Sequence, residues 1–461
     1  MNNFKIALVR PDYHSHLITP PLSLGYLSSY LKSKGFDCEI IDGLNLGFGP
    51  EKIIKRCKGA SLVGVNCLSA YFPETIALSR KLKDKGFKVV VGGPHASALP
   101  ELTLDETRAD YVVCGEGEIT LFELADALSN RKPVSGIPGI MAQSSRQLKK
   151  RPLINDLDAL PFPDWQQMDP GKYKKAPHGG LIKSFPVAPI TSTRGCPFEC
   201  SFCASPRLWD KAIRFRSPEN VVDEIEYLVK EFKVREIHFE DDNLTLKKSH
   251  IEGICNLILE RKIKVSWATP NGVRADTLDL QLLRLMKKSG CYFIAFGIES
   301  GNQAILDGIN KKTKLETIEK AVAMARRAGI VTQGFFIFGL PGETAATVKQ
   351  TIAFAKKLPL DKAQFLLLDV MPGSELWDRL AKQRAAGWAL RSYQETTWVP
   401  EGISRQELNA APAYAFRSFF FRPRQMMFLL KYFKPGQLPF ILRRLQDFGV
   451  LPFSKKREGV S

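Results

Sequence analysis

Thr193-Arg-Gly-Cys-Pro-Phe-Glu-Cys-Ser-Phe-Cys-Ala204 is the stretch from which the rest of the chain is read. Its cysteines, Cys196, Cys200 and Cys203, are spaced C-x3-C-x2-C, close enough for one short loop to turn three thiols onto a common centre. Thiolate is the ligand that holds iron-sulfur clusters. Three protein ligands on a four-iron cluster leave one iron open, as an unfilled position does in catalytic metal sites generally. Two plainer readings also fit: buried structural thiols, or half of a zinc site. A zinc site needs a fourth ligand, and no Cys or His follows closely.

Outward from this loop, strand-like and helix-like runs alternate. Strands are expected at Ile190–Ser192, Glu236–Phe239, Val265–Ala268, Phe293–Phe296, Gln333–Ile337 and Phe365–Asp369, with helical stretches between them. Six such units predict an open, partial parallel barrel whose chemistry sits at the carboxyl ends of the strands. The cysteines follow the first strand, at that end. Residues 4–9, 38–41, 62–65, 89–91 and 111–113 form a second alternating series, with a helix through 22–34 that stops at Gly35. This series predicts a parallel, doubly wound sheet with ligands at its strand ends. The turns there are Asn66-Cys-Leu-Ser69, Gly92-Gly-Pro-His95 and Gly115-Glu-Gly-Glu118. Their glycines admit a bulky ligand to the backbone, and are equally ordinary turn residues. Prolines at 133, 138, 152, 161, 163 and 170 mark residues 131–185 as a connector.

At 461 residues the chain is long enough for two or three cores, and 44% hydrophobic with 25% charged residues is ordinary for a soluble protein. Nine cysteines in so long a chain do not make a disulfide scaffold, and the clustered three predict reduced thiols in a cytoplasmic setting. Neither a signal peptide nor a membrane span is expected, because no apolar run reaches about 18 residues. The net charge is +18, and residues 414–457 hold half of it, with ten Lys or Arg, one acid and eleven Phe or Tyr. Three readings are open for this tail: a helix packed over the barrel, an amphipathic segment in peripheral contact with a membrane, or, least favoured, a nucleic-acid contact.

The cysteine motif, with Phe202 before its last cysteine, resembles that of the radical S-adenosylmethionine (SAM) enzymes. The strand-end turns of the first sheet resemble the cobalamin-binding domain that precedes the core in one large subclass. The likeness extends over roughly residues 4 to 385. It implies a Rossmann-like cobalamin-binding domain at 1–140, a linker at 141–185, a TIM-type radical SAM barrel at 186–385, and a mostly helical region at 386–461. It also implies a 4Fe-4S cluster on Cys196, Cys200 and Cys203, and cobalamin over Ser69, Gly92, Gly93, Gly115 and Glu116. Asp12-Tyr-His14-Ser-His-Leu17 lacks the last glycine of the D-x-H-x-x-G motif of histidine-ligated cobalamin. No protein histidine is therefore expected on cobalt, and His14 and His16 are read as loop residues.

Phe239-Glu-Asp-Asp-Asn-Leu-Thr245 resembles the family's stretch beside SAM, which places Glu240, Asp241 and Asp242 in the site region. Arg274 offers a fork for a carboxylate and Glu299 an acceptor for an amine or ribose hydroxyls, with an internal Arg–Glu pair as the alternative. Gly334-Phe-Phe-Ile-Phe-Gly-Leu-Pro-Gly-Glu-Thr344 resembles the adenine-side segment, so backbone groups of Phe338 and Gly339 would meet the adenine. Together these imply a cobalamin-dependent methyltransferase acting on an unactivated carbon of a small, lipid-like or other substrate. It would work through a 5′-deoxyadenosyl radical and methylcobalamin, with a flavodoxin or ferredoxin as one-electron donor. No nucleic-acid partner is expected. A cobalamin-associated cyclase or rearrangement enzyme is the near alternative. A transfer-RNA methylthiotransferase and a regulator with a decayed core fit less well. The first would need three more cluster cysteines before the core, and the second is at odds with the intact triplet.

Overall fold

The structure, a computed structural model, describes residues 4–15, 18–173, 182–380 and 398–432. It divides into two compact units, Met1–Asn271 with Val370–Ser392, and Gly272–Asp369 with Tyr393–Ser461.

The first unit opens with β1 (Lys5–Arg10), α1 (Leu22–Ser33), β2 (Asp37–Asp42), α2 (Gly43–Leu46), α3 (Pro50–Arg56), β3 (Leu62–Asn66), α4 (Phe72–Asp84), β4 (Val89–Gly92), α5 (Pro94–Ala98), α6 (Pro100–Thr107), β5 (Tyr111–Val113), α7 (Gly117–Ser129) and β6 (Ile140–Ala142). The sheet order is β2-β1-β3-β4-β5-β6. Every ladder is parallel except β5 with β6. Successive side chains leave a strand on opposite faces. Ala7 and Val9 accordingly join one core with Val63, Val65, Val89 and Val91. Ile6 and Leu8 join another with Leu62, Val90 and Val113 under α1 and α7. A sheet buried on both faces needs continuous apolar strands, and these runs supply them.

The segment expected as a connector is folded onto this layer. Trp165 and Met168 are buried, and Met168 occupies the space that a Cβ at Gly25 would fill. Asp164 accepts from Ser28 Oγ at 2.8 Å and pairs with Lys32 at 2.6 Å. Trp165 Nε1 donates to Glu224 at 2.9 Å.

The unit continues through β7 (Val187–Ile190), β8 (Thr193–Arg194), α8 (Ser205–Leu208), β9 (Arg214–Phe215), α9 (Pro218–Phe232), β10 (Glu236–Phe239), α10 (Lys248–Glu260) and β11 (Ser266–Val273), whose end belongs to the second unit. β10 pairs in parallel with β7 and with β11. β7 begins earlier than its sequence signal and runs through Pro189; it lies at the end of its sheet, where a missing N–H costs no ladder bond.

The second unit holds α11 (Leu280–Lys288), β12 (Cys291–Glu299), α12 (Gln303–Gly308), α13 (Leu315–Arg327), β13 (Val331–Phe338), α14 (Ala345–Lys357) and β14 (Lys362–Leu367); α15 (Glu375–Arg379) returns to the first. β13 pairs in parallel with β12 and β14. Then α16 (Arg405–Phe420) starts in a Ser404–Glu407 capping box, and α17 (Pro423–Tyr432) begins at a proline, which a helix accepts in its first turn. Phe419 of α16 is buried, edge-on to Phe365 at 6.2 Å.

Candidate functional site

In the first unit a cavity of about 400 Å³ opens at the carboxyl ends of β1, β3, β4 and β5. Leu8, Gly64, Val90 and Val113 form its sheet wall, and Leu24, Leu27 and Leu121 close it from α1 and α7. A Cβ at Gly64 would come within 2.9 Å of Leu8 Cδ2, so this glycine keeps the slot open. At the rim lie Gly92, Gly93, Gly115 and Glu116. Gly93 has φ +131°, and a Cβ there would overlap the Cys67 carbonyl. Gly115, at φ +78°, has nothing within 4 Å of where a Cβ would stand, and its N–H donates to Ser97 Oγ at 2.9 Å. An apolar slot with a glycine rim that no side chain covers leaves room for a broad ring ligand to lie against the backbone.

Ser69 does not line this cavity; its hydroxyl lies 2.9 Å from His95 Nδ1. His95 lies over Phe72, and burial pushes its pKa down to about 4, leaving a neutral ring. His14 is exposed on the loop after β1 and does not line the cavity; His16 lies outside the described residues.

The opposite wall comes from the cysteine region: Thr191, Thr193, Arg194, Trp209, Glu240 and Asp242. The cysteine loop springs from a ribbon of β8 and β9. Gly195 has φ +101°, and a Cβ on it would overlap the Ala212 carbonyl, so only glycine makes this turn. Cys203 N–H donates to Cys200 O at 3.0 Å, and Ser201 O accepts from Leu376 N–H at 2.8 Å, which seats the turn Met371-Pro-Gly-Ser374 beside the loop. Burial pushes the Cys203 thiol up to about 12, so its thiolate has to form together with metal binding. Among the described residues no three His, Cys, Asp or Glu groups gather around a single ion. Three thiols spread along one loop suit a cluster, in which separate irons take separate thiolates.

The three adjacent carboxylates divide by strand alternation. Glu240 and Asp242 face the cavity. Asp241 is turned inward, where it accepts from Ser192 N–H and Oγ and from Thr193 Oγ1 at 2.6 to 3.0 Å, so it braces the approach to the cysteine loop. Burial raises the pKa of Asp241, which is 2% exposed, and partial burial at the cavity wall raises that of Glu240. Glu116, expected beside cobalamin, has both oxygens engaged: Oε1 takes Arg194 Nη1, and Oε2 takes Arg214 Nη1 and Ile154 N–H, each at 2.7 Å.

In the second unit Glu299 ends β12 at a bulge with φ +67°, a conformation that costs a non-glycine residue energy and clusters at functional sites. Its Oε1 accepts from Lys311 Nζ at 2.7 Å, and both groups are buried. A Cβ at Gly297 would come within 2.7 Å of that oxygen. Lys311 was not legible as a partner, because it stands in a loop without a motif. Arg274 departs from the expectation that it holds a ligand carboxylate. It forks onto Asp276 at 2.7 and 3.0 Å, and onto Lys311 O and Thr313 Oγ1 at 2.8 and 2.7 Å. It therefore secures the loop that carries Lys311.

Phe338 O accepts from Leu368 N–H at 2.7 Å, and Gly339 N–H donates to Glu343, so both backbone groups offered to adenine already have partners. Glu343 folds back beneath this turn. Its Oε1 has no partner among the described residues, and burial raises its pKa to about 7.

Two family profiles match in chain order: the B12 binding domain over residues 14–125 and the Radical SAM superfamily over 190–355. An uncharacterized methyltransferase of Pyrococcus horikoshii is 34% identical, covering 93% of this chain and 95% of that protein. The anaerobic magnesium-protoporphyrin IX monomethyl ester cyclase of Rubrivivax gelatinosus is 29% identical over 90% of this chain and 77% of its own length. Among solved structures, the radical S-adenosylmethionine methyltransferase TsrM from Kitasatospora setae superposes with a TM-score of 0.72, over 98% of this chain and 91% of that one, at 21% identity, a likeness of fold. The chain thus belongs to the radical SAM superfamily, in the class of enzymes that carry a B12-binding domain and use a 4Fe-4S cluster, S-adenosylmethionine and cobalamin.

Proposed function

We propose that this chain is a cobalamin-dependent methyltransferase acting on an unactivated carbon of a small molecule. The observation that carries the reading is the cavity of the first unit, bounded on one side by the glycine rim of the Rossmann-like sheet and on the other by residues flanking the cysteine loop. When bound, the cluster with S-adenosylmethionine supplies a carbon-centred radical, and the corrinoid supplies a transferable methyl group.

The chain's own groups would bind, orient and exclude water. Cys196, Cys200 and Cys203 are the proposed cluster ligands. Gly92, Gly93 and Gly115 would lie against the corrin, with Ser69 supporting the rim through His95. Glu240 and Asp242 would accept from the amine of S-adenosylmethionine. Within the second unit, Glu299, oriented by Lys311, is the candidate acceptor for an amine or ribose hydroxyls. Asp241, Glu116 and Arg274 would position these groups without touching a cofactor. The second unit's turn at Phe338 and Gly339 is its candidate for an adenine ring. Domain limits of 1–140, 141–185, 186–385 and 386–461 organise these roles.

Radical SAM enzymes take an external electron and a small-molecule substrate; a flavodoxin or ferredoxin is the proposed donor here. Cytoplasmic residence, with peripheral membrane contact through the tail, completes the proposal. A cyclase without methyl transfer is the second reading, favoured by the relative named as a cyclase. Product mass separates the two, since only methylation adds a methyl group.

The test is anaerobic reconstitution with iron, sulfide and hydroxocobalamin, followed by metal analysis and a 5′-deoxyadenosine assay. One cluster and one corrinoid per chain are expected, and Cys196→Ala, Cys200→Ala or Cys203→Ala should abolish cleavage of S-adenosylmethionine. A chain that builds its cluster yet retains no corrinoid would refute the proposal.

A further inference from the structure

A group of four buried charges joins the last glycine turn of the Rossmann-like sheet to the root of the cysteine loop, all within the first unit. Arg194 is the last residue of β8, directly before Gly195 and Cys196. Its Nη1 donates to Glu116 Oε1 at 2.7 Å and its Nη2 to Glu118 Oε1 at 2.6 Å. Across the ribbon Arg194 stands opposite Arg214, whose Nη1 donates to Glu116 Oε2 and to Ile154 O, both at 2.7 Å. Two arginines opposed on a ribbon repel each other, and the Glu116 carboxylate between them removes that cost.

The side chains of all four residues are at most 13% exposed, so the pairs are shielded from solvent and salt. The Arg194 guanidinium also lies over the Tyr26 ring at 5.0 Å, and that of Arg214 over Trp209 at 5.3 Å. Nε and Nη2 of Arg214 have no partner among the described residues, so Glu116 and Ile154 O are its only hydrogen-bonded holds there. Glu116, Glu118, Arg194, Tyr26 and Trp209 all line the cavity.

We propose that Glu116 and Glu118 are positioning residues that grip Arg194 and so fix the cysteine loop relative to the Gly115-Glu-Gly-Glu118 turn. The clamp rests on the reading of that turn as the corrinoid rim, and sets the geometry between corrinoid and cluster. Gly195 leaves the loop no side-chain anchor of its own at its first step, so a displacement of Arg194 carries Cys196 with it. Two ion pairs on one fork resist rotation as well as translation, which a single contact does not.

The experiment compares wild type with Glu118→Gln, Glu116→Gln and Arg194→Lys in the reconstituted full chain. Hydrogen exchange is followed in peptides covering residues 195–212. Electron paramagnetic resonance then reads the magnetic interaction between cob(II)alamin, loaded as hydroxocobalamin, and the reduced cluster. Losing one charge-assisted bond should speed exchange in the loop about tenfold in Glu118→Gln. The interaction between the two paramagnets should change, while exchange in α4 and α6 stays at the wild-type rate. Arg194→Lys, which keeps the charge but not the fork, should hold the exchange rate closer to wild type than the magnetic interaction. If Glu116→Gln fails to fold, Glu118→Gln decides alone, since its partner Arg194 retains Glu116. Unchanged loop exchange in Glu118→Gln overturns the clamp. A wild type without corrinoid defeats the functional reading instead, and the exchange measurement still decides the clamp.

Discussion

Glu343 has one oxygen on Gly339 N–H and the other without a partner among the described residues, and its pKa is raised to about 7 by burial. A carboxyl whose folded pKa exceeds its unfolded value of 4.5 binds its proton more tightly in the folded chain. Its stabilising contribution is whole below that value and is lost as pH rises through about 7, a change of about 3 kcal/mol. Glu343→Gln should remove this slope, so that urea midpoints between pH 5 and pH 8 fall less in the variant than in wild type. Parallel slopes would show that the carboxyl ionises without penalty. At Gly195 the issue is steric. Alanine there meets left-handed strain of about 1–3 kcal/mol together with overlap onto the Ala212 carbonyl. Gly195→Ala is expected to keep its far-ultraviolet circular dichroism and to take up much less iron on reconstitution; full iron uptake would contradict the account of the turn.

The strands were legible because parallel sheets buried on both faces require apolar runs, and Ile6–Val9, Leu62–Val65 and Val89–Val91 are such runs. The ribbon of β8 and β9 escaped notice because each strand has two residues, too few for a period, and its pairing depends on contacts across 20 positions. β6 escaped for a similar reason: three residues, antiparallel, at the edge of a stretch read as a connector. Gly64 shows what a strand interior can hide. In sequence it weakens β3, whereas in the fold it opens the slot between Leu8 and Val90. Gly64→Val should overpack that slot at a cost of about 1–3 kcal/mol. The reconstituted variant is expected to keep its iron and lose cobalt, measured as the cobalt-to-iron ratio. A wild-type ratio would mean that no ligand tail enters there.

At the scale of the molecule, the described part of the charged, aromatic tail presents two kinds of surface, and residues 433–461 lie outside the described residues. Phe419 and Phe420 are buried, so part of the aromatic content is core, while Tyr414, Phe421, Met426 and Met427 are exposed. Between 414 and 432 the chain carries Arg417, Arg422, Arg424 and Lys431 and no acid. Exposed apolar groups among cations favour an anionic lipid surface. Co-sedimentation with phosphatidylserine vesicles should therefore exceed that with neutral ones, fall with salt, and fall again in the Phe421→Ser, Met427→Ser double variant. Equal recovery with and without the substitutions would assign these side chains another role. Among the described residues no helix is long and apolar enough to cross a membrane.

The sequence by itself determined the donor set and the layers. Three cysteines within eight residues are a local fact, and strand-helix alternation is periodic, so neither depends on what the chain meets later. Only the tertiary structure decided which neighbouring groups face a ligand and which face the protein. Glu240 and Asp242 line the cavity while Asp241 braces a turn, because adjacent positions at a strand end point to opposite sides. Glu116 and Arg194 lie 78 positions apart, and their pairing has no signal in either stretch alone. A buried charge requires a partner, but which partner it finds is set by the packing of whole elements. For that reason the cysteine loop could be recognised from twelve residues, whereas the clamp that holds it could not.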